Sequence, residues 1–246
     1  MNHDQRIAIA ENVSRKILER YKDDVLCIAI YGSTAKGTDM ADSDIDMLVV
    51  SKTRSSWGAY HLKGVMLWLA FKSIEQFNSE FYNVGDTWPY EVGQMMYAKI
   101  LYQHGNFIGD MKERIAKLDA SLFLKPAEQH LNESEEIMVK LVHASQSRDV
   151  AAVRYWVPLF LEHTNLLIAL LNRSWFTYNA FMNIINVGEF KEVPKGYADW
   201  ARMMLSINDS NTMGDLARDI WEGCRRLAEK HGIKPKHYQN ETDIEL

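Results

Sequence analysis

Cysteine is scarce in this chain: Cys27 and Cys224 are the two among 246 residues. Thiols so far apart do not build a disulfide framework, and Cys27 sits in an apolar run of strand character. A reduced, cytoplasmic setting is the simpler reading. Positive charge is also in short supply, with 28 Lys and Arg against 33 Asp and Glu, a formal net charge of -5. A protein that grips tRNA or DNA presents a basic face, so no nucleic-acid partner is expected. A mildly acidic protein suits a small cationic ligand better. Long apolar runs are missing too. The most apolar helical stretch, Leu159 to Leu171, is interrupted by Glu162, His163, Thr164 and Asn165, and it falls short of the roughly 20 residues a bilayer span needs. No membrane association is expected. Met1-Asn2-His3-Asp4-Gln5-Arg6 shows no apolar segment behind a basic start, so no signal peptide is expected either. There is no internal repeat, no low-complexity tract and no Pro/Gly/Ser-rich linker.

What is present is ordinary globular material, 47% apolar and 25% charged, enough for one large domain or two small ones. The hydrophobic period changes along the chain. Ile7, Ile9, Val13, Ile17 and Leu18 stand between charges over residues 5–20, the pattern of an amphipathic helix. Short β-rich runs follow at Val25 to Tyr31, Asp44 to Val50 and Gly64 to Phe71, then a helix over 73–82 and an edge strand over Ala98 to Tyr102. From about Asn106 the pattern is helical throughout, over 108–118, 127–146, 149–171, 177–186, 195–206 and 212–231. This order predicts an α+β protein. A domain of small mixed β-sheet with flanking helices, residues 1–105, precedes an all-α helical-bundle domain, residues 106–246.

The chemistry concentrates in Tyr31-Gly32-Ser33-Thr34-Ala35-Lys36-Gly37 and Ser43-Asp44-Ile45-Asp46-Met47-Leu48-Val49-Val50. Side chains alternate along a strand, so Asp44 and Asp46 share one face while Ile45, Met47 and Val49 pack on the other. Two carboxylates at i and i+2 on an otherwise buried strand repel each other and cost desolvation energy unless a cation bridges them. Magnesium takes one or two carboxylates together with phosphate oxygens. Ahead of the pair, Gly32 permits a tight turn and close approach of backbone to a ligand. Backbone N–H groups at such a turn, leading into a helix, suit the anionic oxygens of a nucleoside triphosphate, and the Ser33 hydroxyl adds a donor. Lys36 is placed to reach the same phosphates, with a solvated loop lysine as the plain alternative. A Gly-Ser turn or an Asp-x-Asp alone is common; the two together, ten residues apart and followed by an apolar run, have no packing explanation.

Gly-Ser followed by Asp-x-Asp at this spacing resembles the signature of the polymerase-β-type nucleotidyltransferase superfamily. Within it the chain is similar to the kanamycin (aminoglycoside 4') nucleotidyltransferase family. The likeness extends through Tyr21-Lys22-Asp23-Asp24-Val25, Trp88-Pro89 with Gly93-Gln94, Leu167-Ile168 to Arg173, Gly196-Tyr197 and Glu229-Lys230-His231-Gly232. It implies an N-terminal nucleotidyltransferase domain, ATP as nucleotide donor, an aminoglycoside acceptor, and a homodimer with active sites between subunits. It also places the family's helical general base at Glu136 and its partner lysine at Lys140. Read without the family, Glu136 and Lys140 are i, i+4 neighbours on one helix face, a spacing equally suited to a solvent-facing ion pair. Two departures stand out. Trp68 occupies a strand position where the family has a carboxylate, and the second strand acid is Asp46 rather than glutamate.

Other candidates have plain readings beside the functional ones. Gln94 is placed as a nucleotide or acceptor contact. Asp39 and Asp42 read as turn formers. Glu162 and His163, adjacent on a helix, do not share a face, and Trp68, Trp88 and Trp156 read as core aromatics. The basic run Arg225, Arg226, Lys230, His231, Lys234, Lys236 reads as a solvated helix end. Three functional rivals follow: transfer to another small molecule such as a lincosamide, transfer to a protein hydroxyl, or a nucleotide-binding module without turnover.

Overall fold

Val25–Tyr31 is a run of apolar residues that sheds water on both faces, and it forms β1, the second-to-last strand of a five-stranded sheet. The computed structural model describes residues 1–177, 183–206 and 210–233. Chain order in the first part is α1 (His3–Tyr21), β1, α2 (Gly32–Lys36), β2 (Ile45–Ser51), β3 (Ser56–Leu62), β4 (Val65–Ser73), α3 (Ile74–Tyr82), α4 (Trp88–Met96), β5 (Lys99–Gln103) and α5 (Phe107–Ala116). The strands lie in the order β3-β4-β2-β1-β5. Only β2 and β4 run parallel; β1 pairs antiparallel with both β2 and β5, and β3 pairs antiparallel with β4. The sheet is therefore mixed, as the sequence predicts.

One sheet face is closed by α1. Ile9, Ala10 and Ile17 recur at helical spacing and bury against Ile28, Ile30, Ile45, Met47, Val49 and Leu67. An Asn2 capping box starts this helix, its side chain accepting from Gln5 N while the Gln5 side chain accepts from Asn2 N. The Cys27 thiol lies fully buried on β1, and burial pushes its pKa up to about 12.

Two elements go beyond the sequence reading. Strand β3 has no apolar alternation to betray it, since nearly all its side chains are exposed. Its signal is the turn that follows: Lys63 and Gly64 both have positive φ, +53° and +82°, the conformation of a two-residue hairpin loop. Because of β3, the strand expected over 64–71 is the fourth in chain order. Helix α4 was hidden by Pro89 and Gly93, but a proline in the first turn loses no helical bond because those N–H groups have no partner there.

The chain divides into two compact units, residues 1–84 with 90–119, and residues 85–89 with 120–246. The first extends past residue 105 because α5 packs on α3, with the Phe77 and Phe107 rings 5.4 Å apart. The second is helical: a short 3-10 turn, then α6 (Leu124–Gln146), α7 (Val150–Leu171), α8 (Asn183–Gly188), α9 (Tyr197–Ser206) and α10 (Ser210–Lys230). Helices α6, α7 and α10 form its core, in which Leu131, Leu141, Phe160, Leu167, Ile220 and the Cys224 thiol are fully buried. A buried polar chain ties α9 to α7, where the Tyr197 hydroxyl donates to Asn165 Oδ1 at 2.8 Å and lies 2.7 Å from Thr164 Oγ1. Residues 178–182 of the helix expected over 177–186, Asn208 and Asp209 of the break expected at Asn208-Asp209-Ser210, and Lys234 and Lys236 lie outside the described residues. Among those described, no helix is long and apolar enough to cross a membrane.

Candidate active site

The turn after β1 is the centre of the first unit's polar chemistry. Ile45, Met47 and Val49 are fully buried toward α1, so the alternation of β2 puts Asp46 on the opposite face. Asp46 pairs with Tyr31 on one side and Trp68 on the other. Asp44 immediately precedes the strand, and its backbone carbonyl accepts from the buried Thr34 hydroxyl at 2.9 Å. That bond ties the short helix α2 to the segment bearing the carboxylates.

Gly32 opens α2 with φ +70°, a conformation that L side chains rarely adopt. A Cβ at this position would sit 2.6 Å from Asp46 Oδ2. Any side chain here would displace the carboxylate, so the glycine serves both the turn and the close approach. Ser33, half-buried, follows directly, and its carbonyl accepts from Thr38 N at 3.1 Å.

The electrostatics show the strain expected of paired acids. Burial, and then the charge of Asp44, push the Asp46 carboxyl up to about 6. Burial and the same two carboxylates push the Tyr31 hydroxyl up to about 12. A divalent cation on this face would relieve the repulsion, and both carboxylates keep the partial exposure needed to meet it. The residues present fit such an ion.

The position where the sequence places tryptophan in lieu of an acid is engaged. Trp68 Nε1–H donates to Asp44 Oδ2 at 3.0 Å, and its ring stacks on exposed Trp57 of β3 at 5.1 Å. Trp68 is half-buried and polar in its role, not the core aromatic expected from the sequence. Lys36, at the end of α2, lies 5.6 Å from the centre of the Tyr97 ring, and burial lowers its pKa. Gln94 is exposed on α4.

One organising residue escaped the sequence reading. Arg6 of α1 is buried, with 1% of its side chain exposed. Its guanidinium donates to the carbonyls of Ser43 at 2.9 Å, Met40 at 2.5 Å and Ala41 at 2.6 Å, and to Asp39 Oδ2 at 2.8 Å. Burial acts to raise the Asp39 carboxyl, but hydrogen bonds from His3, its own backbone and Arg6 outweigh it and hold the pKa below the usual range. Asp39 is thus an anchor for the loop that delivers Asp44, not merely a turn former. Its signal was an arginine on the apolar stripe that includes Ile9, Ala10 and Ile17.

In the second unit, Glu136 and Lys140 share one face of α6, with Lys140 Nζ donating to Glu136 Oε1 at 2.6 Å. The hydrogen bond and charge of Lys140 hold the Glu136 carboxyl below its ordinary pKa. Lys140 Nζ also sits 4.6 Å over the Trp156 ring, and the glutamate is largely exposed.

Comparison with known proteins decides the family. The family model for the KNTase C-terminal domain matches residues 105–234, and that for the polymerase beta nucleotidyltransferase domain matches residues 12–80. The chain belongs to the KNTase family. As a member it is a nucleotidyltransferase. Aminoglycoside nucleotidyltransferase (4') proteins from Staphylococcus aureus and from Bacillus sp are each 24% identical to it, over 94% of this chain and 93% of theirs. A solved nucleotidyltransferase-like protein from Exiguobacterium sibiricum 255-15 superposes with a TM-score of 0.52 at 10% identity, covering 89% of this chain and 74% of that one. That likeness shows a shared fold. The resemblance read from Gly32-Ser33 and Asp44-x-Asp46 is thereby supported along nearly the whole chain.

Proposed function

We propose that this nucleotidyltransferase moves AMP from ATP to a hydroxyl of an aminoglycoside and releases pyrophosphate. The observation that carries the reading is the partly exposed carboxylate pair Asp44 and Asp46 beside a glycine that Asp46 Oδ2 approaches too closely for any Cβ to fit. Asp44 and Asp46 would hold a magnesium ion there. When bound, the ion supplies charge neutralisation for the triphosphate oxygens. Gly32 and Ser33 cradle the phosphates through backbone N–H groups and the serine hydroxyl, and Lys36 adds a positive charge. Gln94 contacts the nucleotide or the acceptor.

Glu136 removes the proton of the acceptor hydroxyl, and the oxygen attacks the α-phosphorus in line as the bond to pyrophosphate breaks. A lowered pKa makes Glu136 a weak base at rest, and Lys140 leaving it for the developing phosphate charge would restore its basicity. The aminoglycoside assignment rests on the names of the relatives, together with the acidic balance of the chain. Homodimer formation, with active sites drawing on both subunits, belongs to the same reading, as does a cytoplasmic site of action.

Transfer of label from α-phosphate-labelled ATP, with magnesium, to a panel of aminoglycosides, lincosamides and protein acceptors tests the proposal. Labelled aminoglycoside with matching pyrophosphate release is the expected result. Labelled lincosamide alone would replace the acceptor and keep the chemistry. Sedimentation showing a fully active monomer would remove the dimer. One observation favours a second reading, a nucleotide-binding module without turnover: the Trp68 indole occupies the place of a third acid and engages Asp44. ATP binding with no product from any acceptor would select it.

A further inference from the structure

Away from the carboxylate pair, three metal-ligating side chains meet inside the helical unit. His130 and Glu133 lie one turn apart on α6, and His163 lies on α7. His130 Nδ1 is 3.0 Å from His163 Nδ1; Glu133 Oε2 is 2.7 Å from His163 Nδ1 and 3.6 Å from His130 Nδ1. Zinc bound tetrahedrally at about 2.0–2.2 Å from nitrogen and oxygen sets its ligand atoms roughly 3.3–3.5 Å apart. The observed triangle brackets that edge.

The hydrogen bonding around the triangle turns lone pairs inward. His130 Nε2 lies 3.1 Å from the Asp86 carbonyl oxygen. A carbonyl can only accept, so Nε2 carries the proton and the neutral ring presents a lone pair at Nδ1. A backbone carbonyl fixing the far nitrogen is the usual support of a metal-ligating histidine. Glu133 is steered likewise, its other oxygen accepting from the Gln129 side-chain amide at 3.1 Å. Without a cation, one Nδ1 proton on His163 must serve both the Glu133 oxygen and the His130 lone pair. With His163 in its other neutral tautomer, all three inward atoms become acceptors.

We propose that His130, Glu133 and His163 form a site for one zinc-like divalent transition metal ion, with its fourth position open to water or another ligand. Two imidazole nitrogens and one carboxylate select zinc over magnesium, which prefers oxygen. His130 is buried, while His163 and Glu133 keep partial exposure, so an ion has a path in. The bound ion staples α6 to α7 and, through the Asp86 carbonyl, fixes the 85–89 segment.

The test is calorimetric titration of the full chain with zinc alone in excess magnesium, which occupies carboxylate sites without competing for imidazole. One zinc per chain is expected, with a rise in Tm and, for cobalt(II), the visible absorption of tetrahedral coordination. His163→Gln and, separately, Glu133→Gln should each weaken binding by more than about 10²-fold, beyond the 10–100-fold typical of an outer support. Asp46→Asn should leave it unchanged, and none of these readouts requires transferase activity. Both variants are at partly exposed positions, and circular dichroism reports whether each folds. Wild-type zinc binding no tighter than that of either folded variant overturns the site.

Discussion

The Trp68 indole N–H donates to Asp44 Oδ2 at 3.0 Å, so a neutral donor meets the first strand acid from the position that bears an acid in the resembling family. The bond orients Asp44 without adding negative charge, and it leaves two carboxylates rather than three on this face. Trp68→Phe removes the donor and keeps a ring to pack on Trp57. A hydrogen bond to a charged group contributes about 1.5–3 kcal/mol, so turnover should fall roughly 10–100-fold with a raised magnesium requirement. An unchanged magnesium dependence would show that the indole does not position Asp44.

Asp44→Asn or Asp46→Asn changes charge with almost no change in volume. Each should abolish transfer while far-UV circular dichroism and Tm stay near the parent values. For Asp46, removal of the repelled charge should raise Tm slightly when magnesium is absent, because burial and Asp44 already disfavour its ionised form. Near-parental turnover in either variant removes that residue from the metal site.

Gly32→Ala tests the close approach. The added Cβ would lie 2.6 Å from Asp46 Oδ2, at a backbone φ of +70°. Left-handed backbone costs a non-glycine residue about 1–2 kcal/mol, so a modest drop in stability should accompany a much larger drop in turnover. A loss of stability with kcat intact would leave the glycine as a turn former only.

Glu136→Gln should slow the chemical step by roughly 10²–10⁴-fold, the usual contribution of a general base, with ATP affinity little changed. Lys140→Met should slow it less, since in the proposed mechanism the lysine adjusts charge and does not carry the proton. Single-turnover rates equal to the parent's would return the pair to a solvent-facing role.

Acid stability should report on Asp39. Its folded-state pKa lies below the ordinary carboxylate value, so its contribution is present above the unfolded pKa of about 3.9 and is lost as pH falls through the lower folded value. Asp39→Asn should therefore lower Tm at neutral pH and flatten the acid limb of the Tm–pH curve. Parallel acid limbs for parent and variant would place the sensitivity elsewhere.

Much of the fold was legible because its signals are local. β1 matches the expected run of Val25 to Tyr31, and α6, α7, α9 and α10 lie within a few residues of the helices expected there. The Asp44-x-Asp46 pair could be read because two acids on one face of an apolar strand conflict with packing. Strand β3 was not legible, since an exposed edge strand needs no apolar alternation and takes its register from β4. Arg6, whose hydrogen bonds reach residues 39–43 from residue 6, depends on tertiary proximity that no period encodes. The same holds for His163, whose partners are one helix away rather than its neighbour Glu162.

The two thiols have a practical consequence. Cys27 lies on β1 in the first unit and Cys224 on α10 in the second, both fully buried and both with raised thiol pKa. Native chains should thus resist alkylating reagents, and each cysteine becomes reactive when its own surroundings open. Pulsed alkylation followed by peptide mass mapping would time the opening of the sheet and of the bundle separately, from one unmodified sample. Any cysteine engineered onto the surface would then be the sole fast-labelling site for a fluorophore.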